Sequence, residues 1–200
     1  MKPSDKSILV IGGAGYIGSH VVLVLCDRGF DVTVFDNLST GYQINVDDRA
    51  HFIKGDILKA IDLERVFSNK SYIAVFHFAA LKNVEKSMIN PGMYATTNII
   101  GSINIMNQMV KFGLENIIFS STAAVYGAPK YLPIDENHPL EPINFYGFTK
   151  LEVERILSWY SELKGIRYSF LRYFNVAGYD HGRRILALED NPFNLIPVIM

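Results

Sequence analysis

The seven residues Gly12-Gly13-Ala14-Gly15-Tyr16-Ile17-Gly18 constrain the fold more than any other part of the chain. They follow a short apolar run, Ser7 to Ile11, and open a mostly apolar stretch that runs to Cys26 and Gly29. That succession predicts a buried strand, a tight turn and a helix. Glycines at such a turn let the backbone bend sharply and come close to a pyrophosphate, while free amides and the positive end of the helix dipole face the anion. A glycine turn by itself is common. Here a second strand, Asp31 to Phe35, leads to Asp36, eighteen residues beyond Gly18. A carboxylate at that strand end can accept hydrogen bonds from both hydroxyls of an adenosine ribose and would repel a 2′-phosphate, so turn and acid together predict a site for NAD in preference to NADP.

The alternation of strand and helix signals continues. His51 to Ile53 reads as a third strand, Ile61 to Phe67 as a helix, and Ile73 to Ala79 as an apolar strand of the kind buried on both faces of a parallel sheet. Met93 to Phe112 is a helix candidate, Asn116 to Ser120 a strand, Phe145 to Lys164 a helix and Tyr168 to Phe174 a last strand. Strands separated by helices require crossover connections, and the expected fold is α/β, a doubly wound parallel sheet of the Rossmann type. One extended loop, Gly127 to Asn144, carries prolines at 129, 133, 139 and 142 and ends just before a helix, where a wall of a binding site would stand.

Composition narrows the partners. A chain of 200 residues, 49% hydrophobic and 20% charged, is long enough for one large domain. A net charge of -1 offers no basic stripe to a phosphate backbone or an anionic lipid surface, which argues against nucleic acid and membrane and for a small molecule. The apolar run Ile8 to Ile11 is too short for a signal-peptide core or a membrane span, and the chain reads as cytoplasmic. Cys26, the single cysteine, reads as a helix-packing residue. The histidines at 20, 51, 77, 138 and 181 lack metal-ligand spacing, so no metal is expected, and His77 in its apolar strand reads as a packed core residue.

Tyr146 and Lys150 lie four apart in the predicted helix from Phe145, so both side chains leave one face about one turn apart. A phenol with an ordinary pKa of about 10 is a poor base at neutral pH, but a nearby ammonium favours the phenolate by about 1 to 3 units. An oxidised nicotinamide would push the same way. The spacing alone is a frequent helix-face pattern. In this chain it follows the glycine turn, the apolar fourth strand and the run Ser120-Ser121-Thr122 that ends the fifth strand, on the carboxyl side of the sheet where ligands bind. A hydroxyl at Thr122 could orient the substrate oxygen that Tyr146 deprotonates, and acid-base chemistry of this sort contributes about 100-fold to 10,000-fold.

Together these motifs resemble the extended short-chain dehydrogenases, whose Gly-x-x-Gly-x-x-Gly differs from the commoner Gly-x-Gly-x-x-Gly. Within them the likeness is to the NAD-dependent nucleotide-sugar epimerases, and it runs from Ile8 to Met200. The resemblance implies a cofactor held by Gly12, Gly15, Tyr16, Ile17 and Gly18, by Asp36 and Asn37, and by Asp56 and Ile57 of Gly55-Asp56-Ile57 on the adenine side. Toward the nicotinamide it implies Phe78, Ala79, Ala80 and Lys82, then Asn98 and Ser120, with Tyr146, Lys150 and Tyr173. Thr122, Tyr146 and Lys150 would be catalytic. Lys82, Thr122 and Tyr146 would also meet substrate, with Asn175 of Leu171-Arg172-Tyr173-Phe174-Asn175 at the diphosphate and Asn194 of Asn194-Leu195-Ile196-Pro197 on the uridine side. Two positions depart from the family: Thr122 stands where serine is usual, and Val176-Ala177 replaces a pair that often contains proline. Sugar dehydratases of the superfamily carry an acidic pair after the strand-end hydroxyl; here Ala123-Ala124 follows, so the acid that would eliminate water is missing.

The resemblance implies an isomerase of galactose metabolism, interconverting UDP-glucose and UDP-galactose through a 4-keto sugar on tightly bound NAD. It also implies a homodimer formed by the helices at about 93 to 112 and 145 to 164, where Trp159 and Tyr160 read as packing or interface residues. The expected organisation is an NAD-binding domain over 1–180, followed over 181–200 by the start of a substrate-binding region that is largely missing. Another extended short-chain UDP-sugar epimerase or reductase, or a non-catalytic NAD-binding fragment, remains open on the residues alone.

Overall fold

The computed structural model describes residues 6–185. Asn194 and most of the 181–200 region therefore lie outside the described residues. Six strands form one sheet: β1 (Ser7–Ile11), β2 (Asp31–Asp36), β3 (His51–Lys54), β4 (Ala74–His77), β5 (Asn116–Ser120) and β6 (Arg167–Leu171). Every pairing is parallel and the order is β3-β2-β1-β4-β5-β6. The helices are α1 (Tyr16–Asp27), α2 (Ala60–Asn69), α3 (Val84–Ile89), α4 (Pro91–Tyr94), α5 (Gly101–Lys111) and α6 (Phe145–Lys164). This is the doubly wound Rossmann arrangement expected from the strand-helix alternation. Among the described residues no helix is long and apolar enough to cross a membrane.

The two faces of β1 explain the layering. Leu9 and Ile11 point into a core shared with Leu63, Val66 and Phe67 of α2, Ile105, Met106 and Met109 of α5, and Val153 and Leu157 of α6. Ile8 and Val10 point the other way, against Val22, Leu25 and Cys26 of α1. Both side-chain sets are apolar because neither face meets water. Each fully buried aliphatic side chain contributes about 1.5 to 3 kcal/mol.

Two strands end earlier than their apolar runs. β4 stops at His77, its last pairing position against Ile11, because Gly12 turns away with φ +83°. The amides of Phe78 and Ala79 then both donate to the Ile11 carbonyl, at 2.8 and 3.1 Å. β6 stops at Leu171 because its partner ends at Ser120, and Tyr173 instead accepts from the Ala123 amide at 3.0 Å. α3 has no counterpart in the sequence reading. It is six residues long and is N-capped by Asn83, whose side chain accepts from the Lys86 amide. Residues 95–100 form a π turn joining α4 to α5, and Asn98 is its buried member.

The sheet order reverses between β1 and β4, and the strand ends of this switch point open onto a crevice. The 127–144 loop packs Ile134 and Leu140 against Val125, Tyr126 and Leu151 beyond the end of β5. Its anchor is His138, whose Nε2 accepts from the Lys130 amide at 2.9 Å and whose ring lies between Tyr126 and Tyr131.

Candidate active site

The glycine turn fits a dinucleotide phosphate, and its glycines do separate jobs. A Cβ on Gly12 would lie 2.4 Å from the Ala79 amide nitrogen, and one on Gly18 would lie 2.2 Å from the Gly12 carbonyl oxygen. These two let β1, the β4 exit and α1 pack backbone to backbone. Gly15 differs: the nearest atom to a Cβ there is the Gly12 carbonyl oxygen at 3.6 Å, and the rest of its surroundings is open. Gly15 is the N-cap of α1, no side chain caps that end, and no acid occupies the first turn. The positive end of α1, through Tyr16 and Ile17, thus faces a crevice with room for an anion. The Tyr16 hydroxyl donates to the Gly178 carbonyl at 2.5 Å, which brings the segment after β6 across the start of α1.

Asp36 closes the second strand as expected. One carboxylate oxygen accepts from the Ala14 amide at 3.0 Å and the other from Leu38 at 2.8 Å, so the acid braces the glycine turn and keeps lone pairs for ribose hydroxyls. Asn37 donates to Asp56 at 3.2 Å, bringing the ends of β2 and β3 together. Ile57 is buried against Gly101 and its carbonyl accepts from Asn104, so its side chain belongs to the core and not to an open face.

On the other side of the switch point, α6 carries Tyr146 and Lys150. Its first turn is capped three ways: the Asn144 side chain accepts from the Gly147 amide at 2.8 Å, Ser87 of α3 accepts from Tyr146 at 3.1 Å, and Met88 sulfur accepts from Phe145 at 3.3 Å. Gly147 lets this turn lie on the strand-end loop, since a Cβ there would be 2.6 Å from the Ala124 carbonyl oxygen. The Thr122 hydroxyl is close enough to the Tyr146 phenol to favour its ionised form. Lys150 donates to the Ser120 carbonyl at 2.8 Å and lies 6.0 Å from the centre of the Tyr146 ring. Ser120 Oγ and the Tyr173 hydroxyl are hydrogen-bonded beside it.

The electrostatics of the pair differ from the sequence expectation. Burial pushes the Tyr146 phenol up to about 12, against the Thr122 hydrogen bond. Burial also pushes the Lys150 ammonium down to about 7, with the charge of Glu154 opposing it. At the phenol burial outweighs the favourable Thr122 interaction, while the Lys150 ammonium is directed to the Ser120 carbonyl.

The remaining expected residues fall into two groups. Phe78, Ala79 and Ala80 line the turn beside Gly12, and Lys82 stands exposed beyond them. Asn98 is buried: its side chain accepts from the Leu81 amide at 2.8 Å and donates to the Leu81 carbonyl and to Thr149, each at 3.0 Å. It brackets the 78–82 segment to α6. Asn175 is exposed, in the segment that leaves β6.

The comparisons with known proteins agree with this geometry. Residues 8–188 match the profile of the NAD dependent epimerase/dehydratase family. This chain is a member of that family. It is 48% identical to the UDP-glucose 4-epimerase of Lacticaseibacillus casei over 97% of this chain and 59% of that one. It superposes on the crystal structure of the Brucella ovis UDP-glucose 4-epimerase in complex with NAD with a TM-score of 0.93 at 40% identity, over 96% of this chain and 59% of that one. The UDP-glucose 4-epimerase of Thermotoga maritima, solved with UDP-glucose, gives 0.83 at 41% identity over 86% and 56%. The chain spans about three fifths of the length of the curated relatives it matches.

In this member of the epimerase/dehydratase family, sequence reasoning passed over Glu154. It lies four residues beyond Lys150 on α6 and is 2% exposed. Arg172 and Ser121 pair with it. The signal was available in the i, i+4, i+8 spacing of Tyr146, Lys150 and Glu154 along one helix.

Proposed function

We propose that this chain carries the NAD-binding and proton-transfer part of a UDP-sugar 4-epimerase acting on UDP-glucose and UDP-galactose. The observation that carries the reading is the convergence of Tyr146, Thr122 and Lys150 at the carboxyl ends of β4 and β5, across the switch point from the open amino end of α1. NAD+ bound along that crevice supplies the hydride acceptor and donor, and a positive charge that favours the tyrosinate. Gly12, Gly15 and Gly18 shape the phosphate cradle, Asp36 takes the adenosine ribose, and Lys82 with Tyr173 flanks the nicotinamide side. Tyr146 takes the proton of the sugar 4-hydroxyl and later returns it, with the Thr122 hydroxyl directing the oxygen. Asn175 and Asn194 are assigned to the nucleotide diphosphate and the uridine side.

The relatives solved with NAD and with UDP-glucose support the cofactor and the substrate class. Ala123-Ala124 after Thr122 supports epimerisation over dehydration, since no acid stands there to expel water. We place the protein in the cytoplasm, with the nucleotide cofactor and substrate it would use.

The same reading includes a homodimer through α5 and α6. A groove of about 360 Å³ runs between them, lined by Val110, Ile156, Trp159 and Leu163, and Trp159 is 60% exposed. Sedimentation of the chain and of Trp159→Glu tests it: a dimer that splits on substitution is expected, and a monomer at all concentrations overturns it.

The function is tested by titrating the purified chain with NAD and assaying UDP-glucose/UDP-galactose interconversion with Tyr146→Phe as comparison. The expected result is saturable NAD binding in both and, wherever turnover is present, a loss of about 100-fold to 10,000-fold in Tyr146→Phe. Turnover untouched by the substitution, or no NAD binding, overturns the reading.

A further inference from the structure

The chain that leaves β6 does not stay at the β6 edge of the sheet. Tyr173 is tied to the end of β5: its carbonyl accepts from the Ala123 amide at 3.0 Å, and its hydroxyl is hydrogen-bonded to Ser120 Oγ. Further along, the Gly178 carbonyl accepts from the Tyr16 hydroxyl at 2.5 Å, on the first residue of α1, the helix that follows β1. β4 lies between β5 and β1 in the sheet. Phe174 to Ala177 therefore pass the carboxyl end of β4 and cross the switch point where the crevice opens. β5 and β1 are two strand spacings apart, about 10 Å. The chain from Tyr173 to Gly178 reaches at most about 18 Å, so this strap has little slack.

The far end of the strap is built as a catch. Gly178 has φ +142°, a conformation that side chains disfavour, and open space where a Cβ would stand, so glycine serves the turn there and not the packing. Beyond it the Tyr179 ring meets His20 edge-on at 5.9 Å, and His20 meets Tyr16 at 5.0 Å. Asp180 and Arg184 close a turn through bonds of 2.7, 2.9 and 3.0 Å. Arg184 Nη1 also donates to both oxygens of Asp27, at 3.0 and 3.1 Å. The ties thus fall on the first residue, the second turn and the last residue of α1. They hold the strap without welding it. Exposed ion pairs contribute little each because water and salt screen them, and Phe174 to Ala177 are exposed along the span itself.

We propose that residues 174–184 form a gating strap for the dinucleotide. The span from Tyr173 to Gly178 closes over the crevice, the bond between Tyr16 and Gly178 is its catch, and the Arg184–Asp27 pair is its brace. NAD enters and leaves when the catch opens. The proposal rests on the reading of the crevice as the NAD site and adds to it the control of cofactor exchange. A gate differs kinetically from a binding contact. Loss of a contact speeds dissociation and leaves association alone, whereas loss of a gate speeds both and moves the dissociation constant little.

The test is stopped-flow association of NADH with the full chain, followed by the fluorescence of the nucleotide, with dissociation read by chasing with excess NAD+. The wild-type association rate is expected to level off as NADH rises, because opening becomes limiting. Tyr16→Phe keeps the ring against His20 and removes the catch, and should raise both rates by about tenfold. Arg184→Gln removes the brace from the far end of α1, roughly 17 Å along the axis from the crevice, so its effect does not come from a lost cofactor contact. It should raise both rates by about threefold. Faster dissociation with unchanged association, or unchanged rates in both variants, overturns the strap alone. A wild-type chain that binds no dinucleotide overturns the cofactor reading, and the strap with it.

Discussion

The two sides of the crevice are built in opposite ways. The β1-α1-β2 side is largely local: Gly12, Gly15, Gly18 and Asp36 belong to one short stretch of chain, and apart from the Ala79 backbone that Gly12 meets, their positions follow from packing within it. The α6 side is assembled from far apart: Ser87, Asn98, Ser120 to Thr122, Tyr146 to Glu154, and Arg172 to Tyr173 are brought together by the fold from separate elements. The first side is held by the absence of side chains, the second by hydrogen bonds between buried ones. Substitutions should therefore damage them in different currencies, packing on one side and polar satisfaction on the other.

Gly18→Ala should break the local side most severely. Its Cβ would meet backbone at 2.2 Å, with no flexible side chain able to give way. A loss of about 3 kcal/mol is expected, measured by denaturant unfolding, with NAD binding lost alongside. Asn98→Ala attacks the assembled side. It strips a buried amide from Leu81 and Thr149 and should cost about 2 kcal/mol. The same unfolding measurement reads it, and a cost below that of an ordinary surface substitution would remove the bracket from the account.

Gly15→Ala sharpens the contrast within one turn. Space exists for its methyl in the folded chain, and the poorer N-cap that alanine makes is offset by the reduced freedom of the unfolded chain, so stability should change by less than about 1 kcal/mol. NAD affinity should fall about tenfold, equivalent to about 1.4 kcal/mol, by calorimetric titration. Equal losses of stability in Gly15→Ala and Gly18→Ala would erase the distinction between structural and ligand-facing glycines.

The pH dependence of stability between pH 7 and 9 reports mainly on the assembled side. Lys150 is pushed from 10.5 down to about 7, so the unfolded chain binds more protons between those values and stability rises with pH across them. Tyr146 is pushed from 10.0 up to about 12, so stability falls above pH 10. His77 is pushed from 6.5 to about 3 by burial and by Lys150, so stability is lost as pH falls below 6.5. Thermal melts should improve from pH 7 toward 9, and Lys150→Met should flatten that rise.

The same contrast explains what the sequence revealed. The glycine turn, Asp36, and the strand-helix alternation were legible because they depend on neighbours in the chain. Phe145 to Lys164 was legible as a helix to its ends, since Asn144 caps one and Gly165, at φ 74°, the other. α3 was not, because six residues carry too little periodicity and its value lies in the Ser87 hydroxyl it offers to α6. Glu154 read as another polar helix residue until β6 delivered Arg172 to it. The direction of the Tyr146 shift was missed for a related reason: four-residue spacing gives proximity, while the Ser120 carbonyl that diverts the ammonium arrives from another strand.

The π turn at 95–100 carries one residue more than an α turn needs, because its hydrogen bonds close one residue further along the chain. Removing one residue there would leave a continuous α-helix with Ile105, Met106 and Met109 still toward the sheet, while the hold of Asn98 on Leu81 would be lost. The wide turn thus behaves as an insertion that the hydrophobic interior tolerates and that the mouth of the crevice puts to use.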